Sequence, residues 1–197
     1  IVYIGKRWVI MSNLLIIGAG GHGKVVAEAA ELENKYEEIS FLDDNDKISK
    51  IYNFSIVGKI NEYKNFSNKY KYAFVAIGNN EVRLNLIEKL LEEGFIVPKI
   101  IHPRATVSKY SKVDIGTVVL SGSIVNVNCS IGKGCIININ STLDHDSVIG
   151  DGVHISSGAV IRSMVDIGEL STIKAGACIT QGKHIEKNTI INPGTVI

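Results

Sequence analysis

The sequence predicts two domains of different class: an α/β domain with a parallel sheet, followed by a parallel β-helix. Three observations predict them. From Val107, a step of six residues lands on an aliphatic side chain sixteen times in succession, ending at Ile197, and only Leu143 among them is neither Val nor Ile. Upstream of Val107, apolar runs alternate with stretches of helical period, the order of strand–helix–strand units. Between the first run and the first helical stretch lies a glycine turn, with Gly18, Gly20 and Gly23 spaced as G-x-G-x-x-G.

At 197 residues the chain is long enough for one or two domains and for a substantial core. Its apolar share and its balance of 21 basic against 20 acidic residues describe a soluble globular chain. A net charge of +1 gives no electrostatic case for nucleic acid or an anionic membrane surface. No uninterrupted apolar run approaches the length of a transmembrane helix. Neither nucleic acid nor membrane is therefore an expected partner. Cys129, Cys135 and Cys178 are odd in number and lack C-x-x-C spacing, so free thiols in a cytoplasmic protein are the plain reading.

The elements follow in order. "IVYIGKRWVI" precedes Met11 and lacks the apolar centre and cleavage site of a secretory signal, so residues 1–11 are read as an upstream extension or an engineering scar. The α/β domain spans 12–103. In it, "NLLIIGAGGHGKVVAEAAEL" is a strand, the glycine turn and a helix, and "EISFLDDND" is a second strand ending on two acids. "YAFVAIGNNEVRLNLIEKLLEEG" is a third strand, a turn and an amphipathic helix that stops at Gly94, and "FIVPKIIHP" leads to a boundary near Pro103. Residues 104–197 carry the repeat. Four positions after each aliphatic the residue is mostly small, as at Thr117, Ser123, Cys135 and Ala177, with Val153, Val165 and Lys183 as exceptions. A large side chain pointing inward and a small one at the turn, every six residues, is the grammar of a parallel β-helix. Gly132, Gly150 and Gly168 fall eighteen apart, each directly after an aliphatic (Gly116 lies sixteen before the first), which predicts three strands per coil and about five coils.

Each half suggests its chemistry. A glycine turn opening a helix presents backbone amides to a phosphate or pyrophosphate. Asp43 and Asp44, at the end of the second strand, can accept hydrogen bonds from a ribose or base. The motif alone suggests NAD, but about ninety residues make only half a dinucleotide fold, and His22 and Lys24 add polar donors at the turn. A nucleotide with one base suits it better; the alternative is a turn that only packs helix against strand. In the repeat, His145 stands between Asp144 and Asp146. A carboxylate on an imidazole fixes its tautomer and raises its basicity, the arrangement of a general base; the alternative is a solvated turn. His102 and His184 are read as caps on turns. His145 and His154 are half a coil apart with no third histidine nearby, so no metal site is expected.

"GAGGHGK", "FLDD", "AIGNNEVR", the hexads and "DHDSVIGDGVHISSGA", in this order across residues 12–197, resemble one group. It is the bacterial acetyl-CoA-dependent sugar acetyltransferases, which include UDP-4-amino-sugar N-acetyltransferases and sialic acid O-acetyltransferases. The resemblance implies a Rossmann-like domain on a left-handed β-helix, a homotrimer with active sites between subunits, and acetyl-CoA as co-substrate. It implies that His145 is the general base with Asp146 beside it, where the family often has glutamate. It sets His154, Ala175 and Gly176 against acetyl-CoA. Gly20, Gly21 and His22 would hold the phosphates of a nucleotide sugar, Asp43 and Asp44 its uridine, Gly78 the nucleotide, and Asn138 the sugar. The expected activity is direct N-acetylation of a UDP-linked 4-amino-deoxysugar for glycan biosynthesis. Rivals are O-acetylation of a sialic acid, acetylation of serine or another small acceptor, a nicotinamide enzyme of sugar metabolism, and a scaffold without catalysis.

Overall fold

The computed structural model describes residues 12–197 in full. Of residues 1–11, read above as an extension, it describes β1 (Val2–Ile4) and β2 (Arg7–Val9), which pair antiparallel; the remainder of that reading lies outside the described residues.

The α/β half is a five-stranded sheet. Its strands are β3 (Ser12–Ile17), β4 (Tyr36–Leu42), β5 (Lys50–Ile51), β6 (Phe54–Gly58) and β7 (Tyr72–Val75), in the order β5-β6-β4-β3-β7. All pairings are parallel except the β5–β6 hairpin. Alternation along β3 explains its uninterrupted apolar run. Leu14 and Ile16 pack on one face with Val26, Ala27 and Ala30 of α1 (Gly21–Leu32), whereas Leu15 and Ile17 pack on the other with Ile87 and Leu90 of α2 (Asn80–Glu92). A sheet buried on both faces selects apolar residues at every position. The β5–β6 hairpin and the 3-10 helix Ile60–Phe66 add to the three strands expected from sequence. The hairpin escapes a sequence reading because Tyr52, at φ 52°, fills a turn position where Gly or Asn is the usual signal.

The repeat folds into a left-handed parallel β-helix of two-residue strands in three sheets of six, five and five rungs. Each rung pairs with the one eighteen residues on, as in Val118↔Ile136 and Ile136↔His154. The hexad aliphatics from Val113 to Ile185 fill the interior, with Cys129, Cys135, Ala159 and Ala177 at the corners. Three residues after each inward aliphatic, from Gly116 to Gly194, the backbone is left-handed every sixth residue. Most of these positions are Gly or Asn, which tolerate that conformation, but Asp146, Met164 and Leu170 also adopt it.

The halves meet without a hinge. Ile100–Ile101 already forms the first rung of the six-stranded sheet, paired with Val118–Val119, three residues before the boundary expected at Pro103. The outward side chains of that sheet, Ile100, Val118 and Ile136, join the same cluster as α1. On its other side, α2 lays Leu84 and Ile87 over corner glycines. A Cβ at Gly116, Gly134 or Gly152 would come within 2.8 Å of one of these side chains.

Candidate active site

The glycine turn divides its labour. Gly18 has φ 101°, and a Cβ on Gly23 would stand 2.1 Å from the Gly18 carbonyl oxygen, so these two glycines let α1 start tight against β3. Gly20 and Gly21 have open space where a Cβ would lie. Gly20 is the N-cap of α1 without a side-chain cap, and no acid occupies the first turn. Bare amides at a helix start, with room in front of them, suit an anionic ligand. They open onto a cleft of about 480 Å³ that Lys24, Asp43, Asn45 and Lys50 also line. Asp43 ties the cleft together: Oδ2 accepts from the Ala19 amide at 2.7 Å and Oδ1 from the Asn45 amide at 2.8 Å. Asp44 accepts from the Ile60 amide at 3.0 Å and faces a second, more apolar cleft of about 510 Å³ with Ile60, Ile77 and Val82. The paired acids thus brace loops and border two different clefts.

Where α1 meets the coils, His22, Asn138 and His154 come together. His154 stands on the outward side of the six-stranded sheet, and its Nε2 lies 3.3 Å from Asn138 Nδ2. Asn138 Oδ1 accepts the Ile139 amide at 2.8 Å, so the amide nitrogen points at the ring. An amide nitrogen only donates, so Nε2 accepts and the ring proton sits on Nδ1. Burial first, then the charges of Arg83 and Lys174, push the His154 imidazole down to about 4. His22 is likewise lowered to about 4 by burial, by Arg83 and by His154, and its Nε2 is buried without a hydrogen-bond partner. Both rings are neutral at pH 7. Gly78, on the loop after β7, also has open space where a Cβ would lie.

His145 lies elsewhere, on the corner between the other two sheets. Asp146 follows it in the left-handed position, φ 60°, which brings Oδ2 to 2.6 Å from His145 Nδ1. With a carboxylate as partner Nδ1 carries the proton, leaving the Nε2 lone pair free to accept one. Asn128, one coil above in the same left-handed position, donates to the other Asp146 oxygen at 3.2 Å. Asp144 accepts the His145 amide at 2.9 Å and Asn126 Nδ2 at 3.0 Å. Both carboxyls are held below their usual range, Asp146 chiefly by His145 and Asp144 chiefly by the His145 amide, so both are ionised at neutral pH. The His145 side chain is 42% exposed.

Ala175 and Gly176 occupy the corner one coil below the one that follows His154, and both are exposed. Gly158, Gly176 and Gly194 run down this corner at φ 67° with open space beside each, leaving a bare track that starts near His154. Of the two histidines read as caps, His102 acts as one, its Nδ1 accepting the Arg104 amide at 3.0 Å. His184 does not, since it lies in the strand His184–Ile185 and its ring pairs at 3.1 Å with Asp166, its partner one rung away on an exposed face. Among the described residues no group of three or more His, Cys, Asp or Glu side chains is placed to hold a metal ion.

Sequence reasoning missed Arg83 and Asn80, although both lie in the quoted "AIGNNEVR". Arg83 is 1% exposed and bonds to both halves, and Asn80 Nδ2 donates to Leu170 O at 2.8 Å and Thr172 Oγ1 at 3.0 Å. In sequence they are two polar residues near a helix start, and the period of the helix assigns them no partner.

Known proteins resemble the chain along nearly its whole length. Residues 13–90 match the family model described as PglD N-terminal domain, and residues 128–163 match the bacterial transferase hexapeptide (six repeats). The UDP-N-acetylbacillosamine N-acetyltransferase of Bacillus subtilis is 33% identical over 56% of this chain, and the match spans about half, 52%, of that relative's length. The acetyltransferase domain of PglB from Neisseria gonorrhoeae, solved in complex with acetyl coenzyme A, is 37% identical with a TM-score of 0.91, covering 95% of this chain and 91% of that one. A histidine-to-asparagine mutant of perosamine N-acetyltransferase from Caulobacter crescentus, solved with CoA and GDP-perosamine, is 28% identical with a TM-score of 0.90, covering 97% and 90% of the two chains.

Proposed function

Because this chain belongs to the bacterial sugar acetyltransferases with hexapeptide repeats, we propose that it transfers the acetyl group of acetyl-CoA to the amine of a nucleotide-activated 4-amino-deoxysugar. The nucleotide is UDP and the product serves glycan biosynthesis in the cytoplasm, where the free thiols of Cys129, Cys135 and Cys178 stay reduced. The observation that carries the chemistry is the His145–Asp146 pair. The sugar nitrogen attacks the thioester carbonyl, His145 Nε2 takes its proton, the carbon–sulfur bond breaks, and the proton passes to the departing CoA thiolate. Asp146 holds the ring in the required tautomer and stabilises the imidazolium. His154 is unsuited to that task, because its basicity is depressed and its Nε2 already accepts from Asn138. It serves as a neutral donor against acetyl-CoA through Nδ1–H. Ala175 and Gly176 border the coenzyme along the bare corner. Gly20, Gly21 and His22 receive the phosphates of the nucleotide sugar, Asp43 and Asp44 its uridine, Gly78 borders the nucleotide, and Asn138 lines the sugar pocket.

His145 and His154 lie on different sides of the β-helix, so one chain does not bring both to a single thioester. A homotrimer that sets the His145 corner of one subunit against the His154 side of the next completes the site.

Release of CoA thiol, followed with UDP- and GDP-linked 4-amino-sugars, tests this reading. The wild-type protein acetylates the UDP-linked amine, and His145→Ala loses about 100-fold to 10,000-fold in kcat while still binding CoA by calorimetry. Near-normal turnover in that variant overturns the base assignment, and absence of thiol release with every amino sugar overturns the function.

A further inference from the structure

Arg83 has no part in the chemistry proposed above, yet every N–H of its guanidinium is engaged. Nε donates to Gly134 O at 2.6 Å, Nη1 to Ile77 O at 3.0 Å and Gly78 O at 3.1 Å, and Nη2 to Asn80 Oδ1 and Gly152 O, each at 2.9 Å. That exhausts its five donors. None of the acceptors is a carboxylate. Burial lowers the guanidinium to about 10, which leaves it charged at neutral pH with only carbonyl and amide dipoles to meet it. A buried cation without a counter-ion is a poor source of stability, so what it holds in place is the better guide to its role.

It holds three pieces. Ile77 and Gly78 form the loop after β7 in the nucleotide half. Gly134 lies two residues before the rung Ile136–Ile137, which leads straight to Asn138. Gly152 lies two residues before His154. Through its bond to Asn80, the fork reaches a fourth, since Asn80 Nδ2 grips Leu170 O and Thr172 Oγ1, and Thr172 is the rung partner of His154.

We propose that Arg83 is a positioning residue for the transfer: one rigid fork that fixes, as a unit, the Gly78 loop and the two coil turns that deliver Asn138 and His154. This rests on the acetyl-transfer reading of the site. The helix α2 brings the fork to the seam, and Leu84 and Ile87 seat it over the corner glycines. The charge has a second effect. Burial does most to keep His22 and His154 neutral, and Arg83, which faces both rings, adds to it, as does Lys174 beside His154.

Arg83→Met and Arg83→Lys, assayed in the full chain, separate the two contributions. Methionine removes fork and charge; lysine keeps a charge but cannot make five fixed bonds. In Arg83→Met, kcat/KM for the nucleotide sugar falls about 100-fold or more, as expected for a misplacement near 1 Å. CoA still binds along Ala175 and Gly176, which lie away from the seam, but less tightly, because His154 is no longer held in place. The His22 and His154 titrations, read by NMR without substrate, move up toward the ordinary imidazole value. In Arg83→Lys the histidines titrate close to wild type while kcat/KM falls at least ~10-fold. Wild-type kcat/KM in Arg83→Lys overturns the proposal, and it decides the matter if the methionine variant does not fold. A loss that merely tracks the unfolded fraction, with unmoved titrations, also overturns it. Failure of the wild-type protein to release thiol strikes the functional reading instead, and leaves the titrations to report on the fork.

Discussion

His145 and His154 are the same side chain in opposite situations. One sits on an exposed corner with a carboxylate on Nδ1; the other is half-buried, faces Arg83 and Lys174, and accepts a hydrogen bond at Nε2. The first keeps its Nε2 lone pair free, and the second is held neutral by its surroundings. His22 is held neutral too, and this has a cost in acid. An unfolded imidazole binds a proton near pH 6.5, whereas these two bind one only near 4 when folded. Between those values the unfolded chain holds more protons, so the contribution to stability is complete above about pH 6.5 and drains as pH falls toward 4. Thermal melts between pH 7 and 4 fall on the order of 10 °C, and His154→Gln flattens part of that limb. An acid limb of the same depth in His154→Gln would mean that the ring is not held neutral by the fold. At this scale the sequence was legible where chemistry is local. His145 and Asp146 are neighbours, and one left-handed residue suffices to join them. Arg83 was illegible because its partners lie 51 and 69 residues away.

The glycine turn and the coil corner are elements whose glycines do different work. Gly23→Ala drives a methyl into the Gly18 carbonyl, which neither backbone nor a flexible side chain can relieve, and destabilises by about 2–3 kcal/mol in urea titrations. Gly20→Ala meets open space at an extended φ of −72°, so its stability stays within ~0.5 kcal/mol of wild type. It nonetheless weakens nucleotide-sugar binding, because its methyl projects into the cleft. Equal stability loss in the two variants would refute this division. The hexad aliphatics announced the coils because every turn repeats one demand, an apolar side chain facing inward. The left-handed position three residues later was harder to see: Met164 and Leu170 occupy it against their own preference and break the pattern of Gly and Asn. The β5–β6 hairpin hid in the same way behind Tyr52.

The single chain leaves apolar side chains outward on the two sheets that the α/β half does not cover, among them Ile124 at 44% and Val148 at 49% exposure. Together with the separation of His145 from His154, they call for neighbours. Sedimentation should give three copies of the 21.4 kDa chain. Mixed trimers of His145→Ala and His154→Ala should recover transfer at about a quarter of their sites, since each intact site draws one histidine from each parent. A monomer in solution, or mixtures no more active than their parents, would defeat the shared-site arrangement. The overall architecture was legible from periodicity; the seam between the halves was not, because Ile100–Ile101 belongs to both.

Eighteen residues raise the coil by one strand spacing, about 4.8 Å, without changing direction, whereas six turn everything beyond them through a third of a revolution. The stack is therefore a ruler graduated in coarse divisions, and Arg83 and Asn80, fastened to the carbonyls of Gly134, Gly152 and Leu170, mark its zero. Catalytic alignment needs tolerances near ~0.5 Å, far finer than any division of that scale. Fine adjustment at the seam thus falls to side chains and loops, while the coils hold the measure constant.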